Sequence, residues 1–139
     1  MVMRDYRPII ETVLKYHPDV QAIYLFGSYD TEHEWPNSDV DIALLLPPAK
    51  AWETGSLALS PLWFDLERLL GKTVDLIDLR QMSTVFQKEI IMADRRIYCG
   101  DEYAADEFEM LTLSFYQKLN QERSEVLAEG LRRGRFYKV

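Results

Sequence analysis

Apolar residues near the start of the chain recur at helical spacing. Tyr6, Ile10, Val13 and Leu14 share one face, which predicts an amphipathic helix over residues 5–16. His17-Pro18-Asp19 ends it, because the residue before a proline disfavours helical backbone. The continuous run Ala22-Ile23-Tyr24-Leu25-Phe26 then reads as a short buried strand that stops at Gly27-Ser28. Polar residues from Tyr29 to Ser38, with Pro36 and Asn37 among them, predict a loop. Val40 to Leu46 is a second apolar strand closed by Pro47-Pro48, and Ala49 to Ser56 reads as another loop.

The second half follows the same logic. Ser60-Pro61 is a helix start, with serine as cap and proline in the first turn. Leu62, Leu66, Leu69 and Leu70 make the expected buried stripe, and Gly71 ends the helix. Thr73 to Leu79 alternates as a third strand, and Ser83 caps a helix reaching about Ala93. Arg96 to Cys99 is a short edge strand. Gly100-Asp101 opens a long final helix with the stripe Phe108, Leu111, Phe115, Leu119 and Val126, expected in a core or an interface. This order predicts a single α/β domain over residues 1–139, a small mixed sheet with flanking helices and a long C-terminal helix.

Composition narrows the class. The 139 residues are 47% hydrophobic and 28% charged, an ordinary globular mixture. The formal net charge of -7 opposes direct binding of nucleic acid polyanions unless a basic patch or a cation intervenes. The single cysteine, Cys99, can form no internal disulfide. The N-terminus has neither a signal-peptide pattern nor a membrane span, so a soluble cytoplasmic protein is the expectation.

The chemistry concentrates in Gly27-Ser28, ten intervening residues, and Asp39-Val40-Asp41. Asp39 and Asp41 are two apart on a strand, so their carboxylates share a face while Val40 and Ile42 point into the core. Adjacent carboxylates repel, and a divalent cation such as Mg²⁺, or Mn²⁺ in its place, relieves that repulsion. Glycine permits a sharp turn and close approach to a ligand, and the serine hydroxyl with nearby amides can hold phosphate oxygens. A third carboxylate is available in Val74-Asp75-Leu76-Ile77-Asp78. Alternation turns Asp75 away from the apolar face of Val74 and Leu76, so Asp75 and not Asp78 is expected to join the pair, as metal ligand or general base.

On Gly27-Ser28, the ten-residue gap, Asp39-x-Asp41 and Asp75-Leu76, the chain resembles the DNA polymerase β-like nucleotidyltransferases. More closely, it resembles the minimal nucleotidyltransferase (MNT) antitoxins paired with HEPN toxins. The resemblance implies ATP as co-substrate, Mg²⁺ on Asp39 and Asp41, phosphate binding by Gly27 and Ser28, and Asp75 as base. It also implies a HEPN ribonuclease toxin as partner, inactivated by AMP transfer to a tyrosine. No Arg-x4-6-His ribonuclease motif occurs, so the chain is matched to the antitoxin side. Two rivals remain: a non-catalytic antitoxin acting by occlusion, and a small-molecule nucleotidyltransferase.

Other residues fit less specific readings. His17 and His33 lack ligand spacing and are expected in exposed loops. Lys88, Arg95 and Arg96 are each candidates to reach nucleotide phosphates, and the sequence does not choose among them. Arg132, Arg133 and Arg135 form a basic tail suited to solvent, an acidic partner or nucleic acid.

Overall fold

The computed structural model describes residues 5–35, 38–50 and 56–133, with side chains to residue 129. Helix α1 (Arg7–Tyr16) leads into strand β1 (Ala22–Phe26), and β2 (Val40–Leu45) follows the first loop. Then come α2 (Pro61–Leu70), β3 (Val74–Asp78), a short 3₁₀ turn at Leu79–Gln81, α3 (Thr84–Met92), β4 (Arg96–Cys99) and α4 (Glu102–Arg133). The expected caps form: Ser60 Oγ accepts from the Trp63 amide and Ser83 Oγ from the Phe86 amide, each at 3.2 Å. Gly71 closes α2 in the left-handed conformation at φ 64°. Residues 48–50 are helical where the sequence suggested a loop, and residues 51–55 of that segment lie outside the described residues.

The sheet runs β3-β2-β1-β4. β1 pairs antiparallel with β2 and with β4, whereas β2 and β3 are parallel, so the sheet is mixed. A parallel pair cannot be joined by a tight turn, and α2 lies in the connection between β2 and β3.

Strand alternation divides the core between two faces. Ile23, Leu25, Val40, Ile42, Leu44, Val74 and Leu76 pack with Ile9 and Val13 of α1 and Leu62 and Leu66 of α2. Ala22, Tyr24, Ala43 and Leu45 pack on the other face with Ile90 of α3 and with Ala105 and Phe108 of α4. Sheets covered on both faces have strands with continuous apolar runs, as β1 and β2 do. Two positions depart from the predicted stripes: Ile9, outside the stripe of α1, is buried at 2% exposure, while Leu69, within the stripe of α2, is 45% exposed.

Helix α4 outruns the sheet. Its first turns are tied down by Tyr24, whose hydroxyl donates to Glu109 at 2.7 Å, and by Arg96, which bonds Glu109 at 2.8 Å and Asp106 at 3.2 Å. Of the predicted stripe only Phe108 joins the core, and Leu111, Phe115, Leu119 and Val126 are exposed. The reason is length: 32 residues give a rod of about 48 Å, more than a four-stranded sheet can cover. Among the described residues, no helix is long and apolar enough to cross a membrane. The side chains of Arg132, Arg133 and Arg135 lie outside the described residues.

Candidate active site

The site forms where β1 ends and β2 and β3 begin. Antiparallel pairing sets Phe26 opposite Asp41, and parallel pairing sets Asp41 opposite Asp75. Opposed residues in adjacent strands project to the same face, so Asp41 is bracketed by the Gly27-Ser28 turn on one side and by Asp75 on the other. Asp39 immediately precedes β2. The sheet face concerned is the one that α3 and α4 cover, and there Phe26 meets Phe86 edge-on at 5.6 Å.

Gly27 is required twice over. Its φ of 71° lies in the left-handed region, and a Cβ built there would sit 1.9 Å from Asp41 Oδ2. The turn's carbonyls are held from outside. Ser28 O accepts the Thr31 amide at 3.0 Å and the Thr31 hydroxyl at 2.6 Å. Arg95 donates to Gly27 O at 2.9 Å and also to Tyr29 O. The loop that follows is fastened as well: Glu34 accepts the Asp30 amide at 2.6 Å and pairs with Lys72 at 2.8 Å, just before β3.

Electrostatics single out Asp41. Its carboxyl is pushed up to about 6, first by burial, then by the charges of Asp75 and Asp39, with Arg95 pulling the other way. Asp39 and Asp75 are exposed and Asp41 is half-buried, so the one of the three with least access to water is also the one raised by the charges of the other two.

Among the described residues no three His, Cys, Asp or Glu side chains meet in a ready-formed metal cage. The three aspartates share a strand end and one electrostatic field instead. That donor set fits Mg²⁺, which takes hard oxygens, is typically held by one or two carboxylates and fills its octahedron with phosphate oxygens and water.

The residues expected from sequence therefore divide. Gly27, Asp39, Asp41 and Asp75 come together, with Ser28 on the adjoining turn. Of the three candidate cations, only Arg95 reaches the turn. Lys88 pairs with Glu89 and lies 4.7 Å from the Tyr116 ring centre, and Arg96 is engaged with α4. Lys72 and Glu34 were not foreseen, since nothing in the sequence marks a pair 38 positions apart. A cavity of about 630 Å³, lined in part by Gln21, Arg80, Gln87 and Phe108, opens at the opposite end of the strands and contains none of these groups.

The family model for the polymerase beta nucleotidyltransferases matches residues 9–103, which takes in the turn and all three aspartates. The chain belongs to the polymerase β nucleotidyltransferase family. A curated relative, the protein adenylyltransferase MntA of Shewanella oneidensis, is 34% identical over 114 residues, covering 79% of this chain and 76% of MntA. Among solved structures, a toxin–antitoxin complex with AMP-PNP contains a chain 31% identical at a TM-score of 0.67, over 92% of this chain and 99% of that one. Another holds the tri-AMPylated HEPN toxin of Shewanella oneidensis with its MNT antitoxin. Its matching chain is 32% identical at a TM-score of 0.60, over 89% and 93% of the two chains. This chain is thus a nucleotidyltransferase whose fold continues past the family match into the long helix.

Proposed function

We propose that this nucleotidyltransferase is a cytoplasmic antitoxin that transfers AMP from ATP to a tyrosine of a HEPN toxin. The observation that carries the reading is the contact between the Gly27 turn and Asp41, which sets a phosphate-binding turn against a cluster of three carboxylates. The named activity and partner of the relatives support the choice of donor and acceptor.

In this reading the Ser28 hydroxyl and the turn amides orient the triphosphate. The tyrosine oxygen attacks the α-phosphorus, the bond to the bridging oxygen breaks, and pyrophosphate leaves. Asp75, the most exposed of the strand carboxylates, accepts the phenolic proton. Asp39 and Asp41, with Asp75, would hold Mg²⁺ or Mn²⁺, which supplies charge neutralisation at the phosphates. A phenol suits a carboxylate base better than an aliphatic alcohol does, since its hydroxyl ionises near pH 10.

The test is to incubate the chain with ATP, Mg²⁺ and a candidate HEPN toxin, and to map mass additions. AMP on a toxin tyrosine is expected. An unmodified toxin that is nonetheless inhibited, equally by wild type and by Asp39→Asn, would establish occlusion. AMP appearing on a small molecule alone would establish the third reading.

A further inference from the structure

Arg95 lies 68 positions from Gly27, on the turn between α3 and β4, yet its guanidinium meets two carbonyls of the Gly27 turn. Its carbonyl accepts the Leu25 amide at 3.0 Å, which anchors its backbone on β1. Its guanidinium reaches forward to the carbonyls of Gly27 and Tyr29. The remaining carbonyl of the turn, on Ser28, is taken by Thr31.

Peptide planarity gives these bonds a consequence. No cis peptide bond occurs among the described residues, so each carbonyl points opposite to the amide of the next residue. Fixing Gly27 O fixes the Ser28 N–H, and fixing Tyr29 O fixes the Asp30 N–H, which Glu34 then accepts. Arginine suits this task because its planar fork presents several donors in fixed directions, whereas lysine offers one compact point.

We propose that Arg95 is a positioning residue that aims the Ser28 amide at the nucleotide's phosphates by clamping the Gly27 and Tyr29 carbonyls. This rests on the nucleotide-binding reading above. Arg95 acts through the turn, and its positive charge is not the operative feature. Arg96 provides the internal control, since it is spent on Asp106 and Glu109 of α4.

The experiment measures binding of AMP-PNP with Mg²⁺ to the full chain by calorimetry, alongside thermal melting, for wild type, Arg95→Gln, Arg95→Lys and Arg96→Gln. Both Arg95 variants are expected to bind about tenfold or more weakly with melting temperatures near wild type. Arg96→Gln is expected to melt earlier and bind normally. In transfer assays, KM for ATP should rise in both Arg95 variants while kcat at saturating ATP changes little. Full affinity in Arg95→Lys would show that charge alone matters and would overturn the clamp. So would full affinity in Arg95→Gln, or a loss of affinity that only follows a loss of stability. A wild-type chain that binds no AMP-PNP would bring down the nucleotide reading, and the clamp with it; normal binding in every variant would remove the clamp alone.

Discussion

Asp41 and Asp78 occupy opposite ends of the same sheet, both at least half-buried, and both have carboxyls raised by burial. Their neighbours differ. Asp78 caps the 3₁₀ turn by accepting the Arg80 amide at 3.1 Å, and the Arg80 charge favours its ionised form. Arg80 in turn bonds Leu46 O and Gln21 Oε1, both at 2.6 Å, and lies over the Phe108 ring. Asp41 also feels an arginine, Arg95, but the charges of Asp75 and Asp39 weigh more heavily on it. At one end of the sheet the buried carboxyl has a cation and a cap bond on one oxygen, while its Oδ2 is buried without a hydrogen-bond partner among the described residues. The other end is crowded with like charge, and conflict of this kind is relieved by a bound cation.

The largest effect that would sharpen this contrast is on transfer. Asp41→Asn should lower AMP transfer at least about a hundredfold while leaving the melting temperature of the metal-free protein unchanged or higher. Full activity in that variant, or in excess chelator, would break the assignment of Asp41 as a metal ligand. Gly27→Ala comes next. It places a methyl group on Asp41 Oδ2 and a side chain at φ 71°, so a loss of both AMP-PNP affinity and about 1–3 kcal/mol of stability is expected in calorimetry and denaturant unfolding. At the other end, Asp78→Ala should cost about 1 kcal/mol through loss of the cap and leave kcat for transfer unchanged.

The smallest effect concerns pH. The Asp41 carboxyl is raised from an ordinary 3.8 to about 6, so between those values the folded chain binds more protons than the unfolded one. Stability from this group is therefore fully present below pH 3.8 and declines as pH rises through 6. The melting difference between Asp41→Asn and wild type, measured without metal, should be most favourable to the variant above pH 6 and should shrink below it. A difference that does not vary with pH would mean that Asp41 carries no such conflict.

Much of this site could be read from sequence because its determinants are local. Strand parity alone separates Asp75 from Asp78, and the structure has Asp75 exposed opposite Asp41 and Asp78 buried at the far end. The Gly-Ser turn announces itself because a buried strand stops there abruptly. Arg95 is different. Lys88, Arg95 and Arg96 are equivalent as cations in sequence, and only the packing of α3 and β4 against β1 decides which one meets Gly27 O. The final helix is different again. Its periodic stripe fits a core or an interface alike; Phe108 joins this chain's core and the rest of the stripe is exposed on it, and periodicity alone does not tell the two apart.

The parallel pairing of β2 with β3 has a consequence for when the protein becomes active. Asp41 and Asp75 are neighbours only after the chain between them has closed on itself, a long-range step that is slower than making a hairpin. Arg95 arrives later still in the order of synthesis, after both strands and the turn it clamps. A ribosome that has delivered the Gly-Ser turn and the first two aspartates has therefore delivered no working centre. On the proposed function, catalytic competence is expected only when the distant pieces of the fold meet, and a chain truncated before β3 should not spend ATP.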